Sequence, residues 1–465
     1  MGKVVGWIGI LGLAAVLLAA GLWTIARLSG PDEEQREALA LLQADWDPPG
    51  ENAFDALWLL AYPLPERELA AITDADMAVI SAIPPMDEQG EGGVGRFTSA
   101  AARRFPDQTP SAEDRDLFCR MRSDNCLERV RADLPGYRAL LDRHAPLLER
   151  AAMLEGYGHV RNRMPPRIDA PFPHFNHASY RITRHALAFA DGEVESALDG
   201  ACRDFDTWRR LGANSDMLIA SMVGNAYSTD GNGRLVAGML RELPVDHPLP
   251  ASCRAALRPA QPGELSLCQA MRGEFAMSSS ALTAWPTGDD SGSGMLRRLG
   301  QKTGRQLLLN PEKTRAQSAS YMAGACTVEQ GQKIVADQPG AVMPPVKAGF
   351  ARFECIDNPI GCILVSIAWP AYGQYHDRML DQGARLQVLG TLLWLRDNAG
   401  DDRPLAERIA SRPAELRSPA RAIEVGEDGR SLRIRHYDTR GGKEPYWEVP
   451  LPDALFDAPP DAPPG

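Results

Sequence analysis

The sequence predicts a mainly α-helical chain: a single N-terminal transmembrane helix, then packed helical hairpins, then a small C-terminal antiparallel β-meander. Three observations carry that expectation. The run VVGWIGILGLAAVLLAAGLWTI, Val4 to Ile25, contains one polar side chain, Thr24. Apolar residues then recur at spacings of three and four, as in Val194, Ala197, Leu198, Ala201, Phe205, Trp208 and Leu211, which is the stripe of a helix with one buried face. Beyond Ala420 the period drops to two, the alternation of half-buried strands.

The first run is long enough to cross a bilayer, since about 22 residues at 1.5 Å rise span roughly 33 Å. Trp7 and Trp23 stand near its ends, where indole rings suit the two headgroup levels. A cleaved signal peptide would have a shorter apolar core ending at small residues. Ala19-Ala20-Gly21 offers such a site, but Leu22, Trp23 and Ile25 carry the run past it. Orientation is nearly balanced, with Lys3 on one side against Arg27 on the other.

At 465 residues and 44% hydrophobic content, the chain can bury a core of two or three domains at ~150 residues each. The expected organisation is a membrane anchor over 1–30, a helical segment with a Pro/Gly-rich loop over 31–110, a helical hairpin domain over 111–350, a helical segment plus β-meander over 351–455, and a disordered tail over 456–465. The net charge of −11 excludes a general nucleic-acid binder, which needs a basic footprint to displace counterions.

All eight cysteines, Cys119, Cys126, Cys202, Cys253, Cys268, Cys326, Cys355 and Cys362, follow the anchor. An even number in an oxidising compartment reads as up to four disulfides. Closeness in sequence favours Cys119 with Cys126, Cys253 with Cys268, and Cys355 with Cys362. Cys202 and Cys326 lie on apolar stripes of different helices, either as plain core residues or as an inter-helix bridge.

Taken in order, Pro31 and the following acids open a first helix bearing Leu39 and Leu42. Asn52 can cap a short helix with Phe54, Leu57 and Trp58, and Pro65 opens one bearing Leu69, Ile72 and Ile80. The stretch from Pro84 to Pro110 is a Pro/Gly-rich loop. Ser111 caps a helix running into Cys119, another begins near Cys126, and 164–177 is a proline-rich connection. The striped helix ending near Gly212 forms a hairpin with the next one, which Asp230-Gly-Asn-Gly233 is expected to break before Leu235. Further helices are expected over 250–257, 265–282 and 311–335, the last started by Asn310-Pro311. Gly288 to Gly294 is linker-like. The run from Ile360 is too short to span a membrane and is expected as buried core, as is Leu386 to Leu395. Turn pairs Asp428-Gly429 and Gly441-Gly442 separate the strands carrying Ile423 and Val425, Leu432 and Ile434, and Trp447 and Val449.

No strong chemical motif emerges. Five histidines, His144, His159, His174, His177 and His185, fall in one part of the chain, and His174 with His177 makes the sharpest metal-ligand candidate. No H-E-x-x-H, Walker loop or G-x-S-x-G elbow accompanies them. Gly90-x-Gly92-x-x-Gly95 follows Ile83-Pro84-Pro85 rather than a strand, so it fails as a dinucleotide fingerprint. Glu354 and Asp357, beside the last cysteine pair, read as loop and cap carboxylates. Arg433 and Arg435 share the outer face of the meander, where solvent or an anion can meet them.

The catalytic residues are therefore unassigned and no cofactor is expected. The expectation is a single-pass inner-membrane protein with its bulk in the periplasm, a non-catalytic interaction or assembly module contacting the membrane through its N-terminal helix and another envelope protein through the rest. Two alternatives stand beside it. One is an envelope hydrolase or metalloenzyme using the histidine region 144–185, and the other is a periplasmic small-ligand sensor domain.

Overall fold

The computed structural model describes residues 2–84, 93–121, 125–167, 169–283, 304, 306–342, 352–368, 372–440 and 444–456. It is mainly helical, with one long apolar N-terminal helix and a three-stranded antiparallel sheet near the C-terminus. The linker-like stretch 288–294 and residues 457–465 of the tail lie outside the described residues, as do Gly90 and Gly92.

The N-terminal helix, Gly2–Leu28, is apolar throughout most of its length and long enough to cross a membrane. Its large side chains, Trp7, Ile10, Leu13, Leu17 and Ile25 among them, are exposed. Its C-terminal end meets the folded part, where Ala26 is completely buried.

Two apolar cores organise the remainder. The larger gathers residues between Ala53 and Leu257, the apolar face of Ala384 to Leu395, and the inner face of the sheet. The smaller joins Ala38 and Leu42, Met271 and Phe275, and Tyr321 and Met322 to Met379 and Leu380. Helix Gly373–Asp397 runs through both, presenting Met379 and Leu380 to one and Leu386, Val388, Leu389 and Leu392 to the other. Its buried, nearly all-round apolar second half matches the expectation.

Strands Ile423–Val425, Ser431–Arg435 and Tyr446–Pro450 (β1 to β3) pair in sequence order, with Ile434 opposite Trp447 and Leu432 opposite Val449. Period two puts these four side chains on the covered face. On the other face Arg433 meets Glu424 and Glu427 at 3.2 Å each and lies 4.4 Å over the Tyr446 ring. Its charge is answered by the sheet and its first turn.

Four expectations need correction. Asp230-Gly-Asn-Gly233 does not break its helix: residues Ala226–Gly233 form a π-helical stretch joining Leu218–Asn225 to Arg234–Glu242. Its polar side chains are satisfied both by carbonyls one turn back, as Ser228 and Thr229 donate to Asn225 and Asn232 to Tyr227, and by neighbouring elements. Thr229 and Ser228 bond Gln382 at 2.7 and 3.0 Å, and Asp230 accepts from Trp447 Nε1 at 3.0 Å and pairs with Arg385 at 3.1 Å. The helix expected over 311–335 is two, Pro311–Met322 and Val328–Val335, because Thr327 caps the second.

Third, Cys253 pairs with Cys202 and Cys268 with Cys326, so the expected Cys253–Cys268 bridge does not form. Helix Ala251–Ala256 packs on Val194–Ala213 and carries Cys253 onto Cys202. Cys119–Cys126 and Cys355–Cys362 close as expected, leaving no free cysteine. Fourth, the apolar run after Ile360 is not buried core: helix Pro359–Ala368 buries Gly361 and Val365 but exposes Ile360, Ile363 and Ile367.

Candidate functional site

The sequence places an unusual residue at the start of helix Pro311–Met322. Asn310 caps it, its Oδ1 accepting from the Lys313 amide at 3.3 Å, and Pro311 supplies a pre-set φ. Lys313 thus sits in a first turn, where the helix dipole disfavours a cation. Its side chain leaves that end of the helix for a better one. Lys313 is 7% exposed, and its ammonium donates to the Ala26 carbonyl in the last turn of the N-terminal helix and lies 3.3 Å from Ser29 Oγ. There the orphan carbonyls of a helix C-terminus favour positive charge.

The counter-charge comes from a third segment. The Cys355–Cys362 bridge ties the turn Phe353–Cys355 to helix Pro359–Ala368 and holds Asp357 between them. Asp357 is fully buried and accepts from Lys313 Nζ at 2.7 Å and Asn310 Nδ2 at 3.1 Å. Next to it, Asn358 Oδ1 accepts from the Asn310 amide at 2.8 Å and Thr314 Oγ1 at 3.1 Å. Helix Pro359–Ala368 can approach this closely because residue 361 is glycine. A Cβ there would fall 2.0 Å from Thr314 Oγ1.

Two further contacts hold the end of the N-terminal helix. Arg27 donates to the Leu309 carbonyl at 3.3 Å and stands 3.8 Å from Asp357, and Trp23 Nε1 donates to the Leu307 carbonyl at 3.1 Å. Residues 23–29, 307–314 and 357–358 thus form one joint. A charged pair so buried is favourable only when its remaining hydrogen bonds are made, and here they are. The chemistry of the arrangement is attachment: it fixes the direction in which the apolar helix leaves the domain.

Sequence reasoning considered Asp357 as a loop carboxylate and missed Lys313 altogether. The available signal was positional, since a lysine three residues after a helix cap has no favourable partner on its own helix.

The histidine region does not converge on a centre. His144 bonds Asp114 at 2.9 Å, His159 faces the Pro49 carbonyl at 3.2 Å, and His185 bonds Asp204 at 2.6 Å. His174 and His177 do stack, with ring centroids 5.4 Å apart. His174 is exposed, while His177 is buried with Nδ1 unpartnered among the described residues. Burial, reinforced by His174, pushes the His177 pKa down to about 4, so its ring is neutral at pH 7. Among the described residues no group of three His, Cys, Asp or Glu side chains is placed to hold a metal.

One apolar cleft adjoins the smaller core. It is narrow, with a cavity volume of about 30 Å³ between Leu265, Met271, Met322, Ile334, Tyr372 and His376. Tyr372 donates to Glu274 Oε2 at 3.2 Å, and burial raises the pKa of both groups. Burial lowers that of His376, which faces the Gln338 carbonyl through Nε2 at 3.0 Å. No protein-family model, curated protein or solved structure matches the chain.

Proposed function

We propose that this chain is a single-pass inner-membrane protein with its bulk in the periplasm, acting as a non-catalytic interaction or assembly module for another envelope protein. The observation that carries this reading is the joint at Lys313 and Asp357, which ties an exposed apolar helix of 27 residues into the folded domain by buried charge. A loose tether would need no such joint. Pairing of all eight cysteines supports an oxidising compartment.

Two measurements test it. A carboxy-terminal reporter that works only outside the cytoplasm is expected to be active, and a reporter active only in the cytoplasm would overturn the topology. Crosslinking in intact cells is expected to join the chain reproducibly to one envelope protein, and recovery of uncrosslinked chain alone would overturn the module. The narrow apolar cleft beside Tyr372 and His376 favours a second reading, a sensor of a small ligand. Saturable stabilisation of the domain by such a ligand, abolished by Met322→Arg, is its expected sign.

A further inference from the structure

We propose that helix Pro359–Ala368, together with Leu307 and Leu308, forms a second membrane contact: an apolar patch lying in the headgroup–acyl boundary of the bilayer that holds the N-terminal helix. The proposal rests on the membrane reading above and adds to it a lipid-facing surface on the folded domain.

Exposure alone does not carry it, because scattered apolar side chains are ordinary on protein surfaces. Pattern and place do. Ile360, Ile363 and Ile367 are 36, 39 and 71% exposed, and their spacing of three and then four sets them on one stripe. The opposite side of the same helix buries Gly361 and Val365 against the domain. Leu307 and Leu308 add two more exposed side chains at 45 and 44%. Ten residues are too few to cross a bilayer but suit a helix lying in its interface.

The place follows from the joint. Trp23 Nε1 bonds the Leu307 carbonyl, so Leu307 stands at the level of an indole whose preferred depth is the headgroup boundary. Trp23 is also about 13 Å from the middle of the apolar run at 1.5 Å per residue, near the edge of a hydrocarbon core roughly 15 Å deep on each side. Asp357 lies 3.8 Å from Arg27, one turn further along. Ile360 follows Asp357 by three residues, so no more than about 11 Å of chain separates them. Both apolar segments therefore surround the point where the helix leaves the membrane, and a lipid surface is the partner that geometry supplies there.

The test uses the full chain in nanodiscs containing a phospholipid with a photoreactive diazirine near the glycerol end of its acyl chain. Adducts are mapped by mass spectrometry. The expected result is labelling of peptides containing Leu307–Leu308 and Ile360–Ile367 as well as the N-terminal helix. The combined change Ile360→Asn, Ile363→Asn and Ile367→Asn is expected to reduce labelling at Leu307–Leu308 at least fivefold. The matching leucine replacements preserve it. Retention of the Cys355–Cys362 linkage by both variants controls for folding. Labelling confined to the N-terminal helix would overturn the patch while leaving the anchor intact, and crosslinks joining two copies through Ile363 would assign the face to self-association instead. An unlabelled N-terminal helix would defeat the membrane reading itself.

Discussion

Replacing Lys313 by methionine keeps most of the side-chain volume and removes the charge that three segments share. Asp357, fully buried, then loses its cation, and the Ala26 carbonyl loses its donor. Breaking a buried ion pair from one side costs about 3–5 kcal/mol, mainly because the remaining charge stays desolvated. At 1.4 kcal/mol per tenfold, that raises the population of the opened joint by roughly 100- to 4,000-fold. Trypsin cleavage after Arg27 reads this population, since Arg27 is held against Leu309 in the closed joint. When reclosing outpaces cleavage, the rate follows the open fraction. The assay is the appearance of a fragment beginning at Leu28 from the full chain in nanodiscs. Lys313→Met with Asp357→Asn should cleave more slowly than Lys313→Met alone, because no unpaired charge is left behind. A Lys313→Met rate within threefold of the unmodified chain would show that the pair does not secure the helix.

Disulfide removal should be graded by loop length. By chain entropy, Cys202–Cys253, which closes a separation of 51, should contribute about 4 kcal/mol and Cys119–Cys126, with a separation of 7, about 2 kcal/mol. Denaturant titration of the two double-serine variants checks the order, and greater loss from the short loop would refute it. His177 should make stability depend on acid. Its pKa is about 4 in the folded chain and near 6.5 unfolded, so the unfolded state binds the extra proton between those values. Its contribution of ~3 kcal/mol is present above about pH 6.5 and is lost as pH falls towards 4. His177→Phe should flatten this part of the profile of midpoint against pH, and an unchanged slope would show that another group governs it.

What the sequence revealed followed the range of each signal. The alternation of Leu432 with Ile434 and of Trp447 with Val449 is local, and the sheet obeys it. Caps are local too: Asn310 and Ser111 both accept the expected backbone donors. Cysteine pairing is different, because nearness in sequence measures only loop entropy. Helix packing placed Cys253 against Cys202 across a longer loop. The stretch after Ile360 failed for another reason. An apolar side chain has the same composition whether it faces a core or a lipid surface, and only the burial of Gly361 and Val365 reveals which side faces the domain.

The Lys313 joint links these failures to the N-terminal helix. Its three parts are separated by more than 280 residues at one step and more than 40 at the next, so no local pattern announces it. Each part alone would be unfavourable: a lysine at a helix start, a carboxylate with no exposure, and a helix end buried at Ala26. Together they satisfy one another. Folding of the segment around helix Pro311–Met322 is therefore coupled to the position of the N-terminal helix. A chain whose N-terminal helix is absent or undocked is left with a buried Lys313–Asp357 pair lacking one acceptor, and that loss penalises the undocked arrangement.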